Sequence, residues 1–336
     1  MQTTEPFAPQ IRDLSYAAAI REGLDLALTL SKDVFVLGQL VDYKSGIFGT
    51  TSGLAEKHGA ERVQDFPVSE ATMSSVALGA SLAGKRPVIV HPRVDFMMYS
   101  VDSIVNWLSL WYFKSGEHSS TPVTIRAIIG KGWGQGPQHS KSLHSWFAHL
   151  PGLNVAMPAT AFDAKGLLLE SIFGQTPTLI LESRSLFSMT APVPSTAYRI
   201  RFGQAAVRKR GQDLTLVAAG YLVPLALRAA EELMSDGIDI EVIDPRTISP
   251  FDRKTVIDSV ARTGRLLVAD PGWNHCGFAS EVITSVTEVI GTRLKANPAR
   301  LTFPNSHTPM TLSLESQFYP TVETIKSQLR KVMNEK

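Results

Sequence analysis

The hydrophobic positions of this chain fall into two kinds of stretch. One kind is short and almost unbroken: Val34-Phe-Val-Leu-Gly38, Pro87-Val-Ile-Val90, Val123-Thr-Ile-Arg-Ala-Ile-Ile129, Leu153-Asn-Val-Ala-Met157 and Thr178-Leu-Ile-Leu-Glu182. Runs of that length, rich in branched residues, predict strands buried on both faces. The other kind repeats every three or four residues. Ser15 to Ser31 sets Ala18, Leu24, Ala27 and Leu28 near one face, with Arg21, Glu22 and Asp25 turned outward, and Asp163 to Phe173 also predicts a helix. Leu40 to Gly59, with Gly46, Gly49 and Gly53, predicts a loop around a short helix. Val101 to Phe113 is strongly apolar, is interrupted by Asn106, and predicts a helix buried on most sides. Alternation of strand and helix argues for a mostly parallel sheet with both faces covered.

The pattern is interrupted from Ser188 to Tyr198 by Pro192, Pro194 and Ser195, and a second unit starts at Gln204. It predicts strands at Leu214–Ala219, Ile238–Ile243, Arg265–Ala269 and Ala299–Thr302. Helices are predicted at Leu225–Ser235, Val256–Arg262, Phe278–Ile290 and Thr321–Met333. Asp236-Gly237 reads as a helix stop. With 336 residues the chain suits two units, expected at residues 12–190 and 204–334 with a linker at 191–203.

Composition narrows the function classes. A net charge of +2, without a long Lys/Arg run, gives no reason to expect nucleic acid. No stretch has the length and apolarity of a membrane span, and Met1 to Gln10 lacks the pattern of a secretory leader. Cys276 is the single cysteine, which excludes an intrachain disulfide or a thiolate metal cluster and fits the cytoplasm.

Candidate chemistry starts at Glu70. The acid opens a helix of small residues, Ala71 to Gly84, that offers no compensating charge. It reads either as a helix cap or as a carboxylate waiting for a ligand's hydrogen bond. Phe96 follows a strand, where open parallel sheets bind ligands, and reads as core or as a ring platform. His139 follows a loop containing Gly130, Gly132, Gly134 and Gly136, which lacks the Gly-Lys-Ser/Thr of a nucleotide-binding loop. It reads as a proton-transfer group or as a structural histidine. A metal site from His139, His144 and His149 is disfavoured, because no nearby carboxylate completes it. Trp107, Trp111, Tyr112 and Trp146 suit a subunit interface.

Segments spread over the chain carry a resemblance: Gly46-Ile-Phe-Gly-Thr-Thr-Ser-Gly-Leu54, Arg62-Val-Gln-Asp-Phe-Pro-Val-Ser-Glu70, Asp102-Ser-Ile-Val-Asn106, Gln138-His-Ser140, Phe147-Ala-His-Leu-Pro-Gly-Leu153, Asp163-Ala-Lys-Gly166, Ile243-Asp-Pro-Arg-Thr-Ile-Ser-Pro250, Gly277-Phe-Ala-Ser-Glu281, and Leu314-Glu315 with Pro320-Thr-Val322. Together they resemble the beta subunit of thiamine-diphosphate-dependent 2-oxo acid dehydrogenases, the E1 component, in the transketolase-like superfamily.

The resemblance implies an α/β fold, with an N-terminal pyrimidine-binding domain on a mostly parallel sheet and a transketolase-like C-terminal domain. It implies that Glu70 activates the aminopyrimidine of thiamine diphosphate, that Phe96 stacks on that ring, and that His139 sits near the reacting centre. Diphosphate and Mg²⁺ would be held by an E1 alpha-like subunit through a Gly-Asp-Gly motif absent here, in an alpha2beta2 heterotetramer. A small 2-oxo acid would be decarboxylated and its acyl group passed to a lipoyl E2 component. A carboligase without lipoyl transfer and a subunit without turnover are the competing readings.

Two departures from the family pattern add expectations. His91-Pro-Arg93 and His144 give the cleft a polar, cationic character, so all three histidine and arginine side chains are expected to bind substrate. Arg93 is read as attracting a carboxylate or phosphate, or as pairing internally near Asp95. A structural K⁺ near Gly174-Gln175-Thr176-Pro177 would rest on backbone carbonyls, since side-chain ligands are missing there.

Overall fold

The structure, a computed structural model, describes residues 10–335. The expectation for Met1 to Gln10 therefore lies outside the described residues, apart from Gln10 itself. The unbroken apolar runs become the middle of a seven-stranded sheet. Its order is Thr247–Ser249, Asn154–Ala156, Thr178–Ser183, Thr124–Ile129, Arg86–His91, Val34–Gly38 and Val63–Asp65. All neighbours are parallel except Thr247–Ser249, which runs antiparallel to Asn154–Ala156.

Both faces are apolar because both are covered. Along one strand Val88 and Val90 enter one cluster while Ile89 enters another. Helices Tyr16–Leu30 and Ala161–Phe173 cover the first face, packing Leu24 and Leu28 with Leu168 and Ile172. Each starts at a side-chain cap: Ser15 Oγ accepts from the Ala18 amide at 3.2 Å, and Thr160 Oγ1 from the Asp163 amide at 3.1 Å. The helix Glu70–Leu82 lies on the other face through Met73 and Ala77.

A second sheet has five strands, in the order Ala299–Phe303, Leu266–Trp273, Leu214–Ala218, Ile240–Asp244 and Ala206–Lys209, the last antiparallel. Helices Leu222–Met234 and Val322–Asn334 cover its outer face. Helices Arg253–Thr263 and Phe278–Ile290 cover the inner one, and their Val256 and Val282 belong to the same apolar cluster as Met73 and Ile104. One core thus runs through both sheets.

Two local readings change. The interrupted stretch after Ser188 contains a strand, Thr190–Pro194, paired antiparallel with Ile11–Ser15 as a two-stranded ribbon. Pro192 and Pro194 are tolerated because such a ribbon has open edges. Val101 to Phe113 is not one buried helix. It divides into a wide π-helical turn at Ser103–Leu108 and a short helix at Trp111–Lys114. Ile104 and Leu108 are buried, whereas Trp107, Leu110, Tyr112 and Phe113 face outward. Uniform apolarity concealed which side met the core.

Candidate active site

Glu70 is the first residue of its helix, at the carboxyl end of the neighbouring strand Val63–Asp65. Ser69 is the N-cap but makes no side-chain cap bond; its hydroxyl turns to Thr72 at 2.7 Å. The positive end of the helix therefore acts on Glu70 itself. Among the described residues the half-buried carboxylate has no hydrogen-bond or ion-pair partner. Its backbone is fixed: Ser100 Oγ donates to the Glu70 carbonyl at 2.9 Å, and Ser74 Oγ donates to Ser100 Oγ at 2.8 Å.

Ser100 lies one turn beyond Phe96, which belongs to the short helix Val94–Met97 after the strand Arg86–His91. The Phe96 ring meets the His139 imidazole edge-on, with centroids 5.3 Å apart and planes at 87°. The half-exposed His139 follows the next strand, Thr124–Ile129, and its Nδ1 is buried without a partner among the described residues. Glu70, Phe96 and His139 are thus strung along the carboxyl edge of one parallel sheet, where such sheets bind ligands.

The glycine loop is framed closely. Gly130, Gly134 and Gly136 have φ of 82°, 85° and 73°, conformations that need glycine. The Gly130 amide donates to Lys141 O at 3.2 Å and closes the loop. Arg93, only 5% exposed, donates to Gly130 O at 3.2 Å and Gln135 Oε1 at 3.1 Å. Asp95 accepts from Lys141 Nζ at 3.1 Å. Arg93 therefore neither pairs with Asp95 nor faces an open cleft; it holds the loop that carries His139. Burial pushes its guanidinium pKa down.

The two remaining polar candidates are enclosed. His91 ends its strand opposite Ala127, is 0% exposed, and among the described residues has neither ring nitrogen hydrogen-bonded. Desolvation pushes it down to about 3, so it is neutral. His144 is also 0% exposed. Its Nε2 lies 2.8 Å from Asp270 Oδ1, in the second sheet, and its Nδ1 3.3 Å from Ser142 Oγ. His144, expected to meet substrate, is thus enclosed beside a partner 126 residues away at the inter-sheet boundary. Near the expected K⁺ position, Arg86 Nη1 donates to the carbonyls of Ile172 and Gly174 at 2.9 and 2.8 Å.

Sequence reasoning missed Glu315 and Asp270, whose contacts with the loop and with the helix start after it cross 181 and 126 residues of chain. Glu315 is buried and accepts from the Gly134 amide at 2.9 Å. Leu314-Glu315 stood out only as part of a resemblance, without a role.

Residues 12–189 match the transketolase pyrimidine-binding domain family, and residues 203–325 the transketolase C-terminal domain family. The chain is 36% identical over 332 residues to the beta subunit of acetoin:2,6-dichlorophenolindophenol oxidoreductase of Cupriavidus necator, covering 96% of this chain and 98% of the relative. It is 35% identical over 316 residues to the beta subunit of the pyruvate dehydrogenase E1 component of Bacillus subtilis, covering 94% and 97%. A solved split-gene transketolase, an inactive beta4 tetramer, shares the fold with a TM-score of 0.78 at 22% identity, covering 96% of this chain and 99% of that one. The chain belongs to the transketolase-like family of dehydrogenase E1 beta subunits.

Proposed function

We propose that this chain works with an E1 alpha-like subunit, as an alpha2beta2 heterotetramer, in the thiamine-diphosphate-dependent oxidative decarboxylation of a 2-oxo acid. The observation that carries the reading is the line Glu70–Ser100–Phe96–His139 at the sheet's carboxyl edge. An unpartnered carboxylate, a half-exposed ring and an unpaired imidazole nitrogen suit an aminopyrimidine with its own donors and flat faces. When bound, thiamine diphosphate supplies the electron sink for decarboxylation.

In this reading Glu70 accepts a hydrogen bond from the pyrimidine, and its helix end favours the negative charge that makes the bond strong. Phe96 bounds the ring and sets the tilt of His139. His139 holds or delivers a proton beside the reacting carbon. Diphosphate and Mg²⁺ fall to the alpha subunit. Arg86 supports a reading without K⁺ at the Gly174–Pro177 turn, because a fixed cation already takes the Gly174 carbonyl and that of Ile172 just before it. Exposed Trp107, Leu110, Tyr112 and Phe113 form an apolar band that suits a subunit contact. A lipoyl E2 is the acyl acceptor, and the cytoplasm is the compartment. The carboligase alternative draws no support from the relatives.

The test is Glu70→Gln in the co-expressed alpha–beta enzyme. CO₂ release from pyruvate and from a branched 2-oxo acid, dye reduction with acetoin, and acyl transfer to a lipoyl domain are the readouts. Loss of a charge-assisted hydrogen bond weakens cofactor binding by about 10- to 100-fold (~1.5–3 kcal/mol). Turnover should fall further, even at saturating cofactor. Turnover at the wild-type rate would overturn the reading, and acyloin formation without lipoyl transfer would replace it with a carboligase.

A further inference from the structure

The loop that carries His139 is held at two points by acids from the second sheet's half of the chain. Gly134 lies before the histidine and His144 lies the same number of residues after it. The Gly134 amide donates to Glu315 Oε2 at 2.9 Å, and His144 Nε2 lies 2.8 Å from Asp270 Oδ1. Both acids are buried, Glu315 at 1% and Asp270 at 0% exposure. Asp270 is anchored in turn, since its Oδ2 accepts from the Ala279 amide at 3.0 Å at the start of the helix Phe278–Ile290. Beside Glu315, Met310 covers the loop so closely that a Cβ on Gly136 would lie 2.4 Å from Met310 Cγ.

We infer that Glu315 and Asp270 are positioning residues for His139, so that the second half of the chain sets the aim of a histidine it does not contain. The inference rests on the role proposed for His139. A glycine-rich loop has many backbone conformations to lose, and two buried acceptors at symmetrical places select one of them. Glu315 spends one carboxylate oxygen on a single backbone amide and leaves Oε1 buried and, among the described residues, unpaired. A residue kept only for stability would do better as an apolar one. Its placement makes sense as geometry, because displacing a reacting group by about 1 Å costs on the order of 100-fold in rate.

The experiment compares Glu315→Leu, Glu315→Gln and Asp270→Asn in the alpha–beta enzyme, by steady-state kinetics and by amide exchange over residues 130–143. Glu315→Leu should lower kcat by roughly 10- to 100-fold, leave KM and thiamine diphosphate affinity within about twofold, and speed exchange in that segment alone. Glu315→Gln keeps an acceptor for Gly134, gives the second position a donor, and should restore kcat. Asp270→Asn should speed exchange near His144. If Glu315→Leu does not fold, Glu315→Ala takes its place. Unchanged exchange in the loop, or a loss that falls on KM or cofactor affinity, overturns the inference. His139→Ala separates the two ideas: full turnover in that variant removes the role of His139, while the exchange result still judges the clamp.

Discussion

Phe96 and His139 touch edge to face across the ends of adjacent strands, and this contact joins two groups that lie far apart in the chain. The geometry uses the positive rim of one ring against the π-face of the other. Phe96 therefore limits where the imidazole can turn.

Phe96→Leu keeps apolar volume and removes the ring. An aromatic contact contributes about 0.5–1.5 kcal/mol beyond its area, so the Kd for thiamine diphosphate should rise about 2- to 12-fold. Calorimetric titration of the alpha–beta enzyme measures it. An unchanged Kd would remove Phe96 from the cofactor site.

His91 predicts an acid limb in stability. Burial holds its pKa at about 3, against about 6.5 in the unfolded chain. Between those values the unfolded form takes up a proton that the folded form refuses. The contribution is complete above about pH 6.5 and is lost as pH falls toward 3. From pH 6.5 to 5 the wild type should lose about 1.6 kcal/mol that His91→Leu does not lose. Urea unfolding at the two pH values measures the difference, and parallel profiles would contradict it.

Arg126 and Glu182 form a two-pronged ion pair, with bonds of 2.6 and 2.9 Å and both side chains almost completely buried. Arg126→Met strands a buried carboxylate and should cost about 3–5 kcal/mol. Adding Glu182→Leu should recover most of that loss. Chemical denaturation of both variants checks it; a double variant no more stable than the single one would show that the pair contributes beyond its own neutralisation.

Arg86 caps the end of the helix Ala161–Phe173 through its two carbonyl contacts. Arg86→Ala should destabilise by about 1–3 kcal/mol for each carbonyl left without a partner. Exchange of K⁺ for Na⁺ should leave the wild-type Tm where it was. A K⁺-specific rise in Tm would place a monovalent ion in the fold after all.

Much of the sheet was legible because a strand buried on both faces has a continuous apolar signature, as Val34–Gly38 shows without a change of boundary. Glu70 was legible for a different reason: charge at a helix start among small residues is conspicuous. Pairings were not. Ile11–Ser15 finds Thr190–Pro194, and Thr247–Ser249 finds Asn154–Ala156, through backbone bonds that leave no local pattern. Arg93 and His144 have the chemistry of substrate binders, yet their partners are a loop carbonyl and a distant aspartate. A polar side chain advertises what it can bind, while topology decides whether protein reaches it first.

The strand Thr247–Ser249 comes from the second half of the chain and completes the sheet of the first. Cutting the polypeptide between the halves would leave the first with a raw sheet edge and both with a face of bare hydrocarbon. Melting should accordingly travel through the whole molecule in a single cooperative step, and any rearrangement in one half will be felt mechanically in the other.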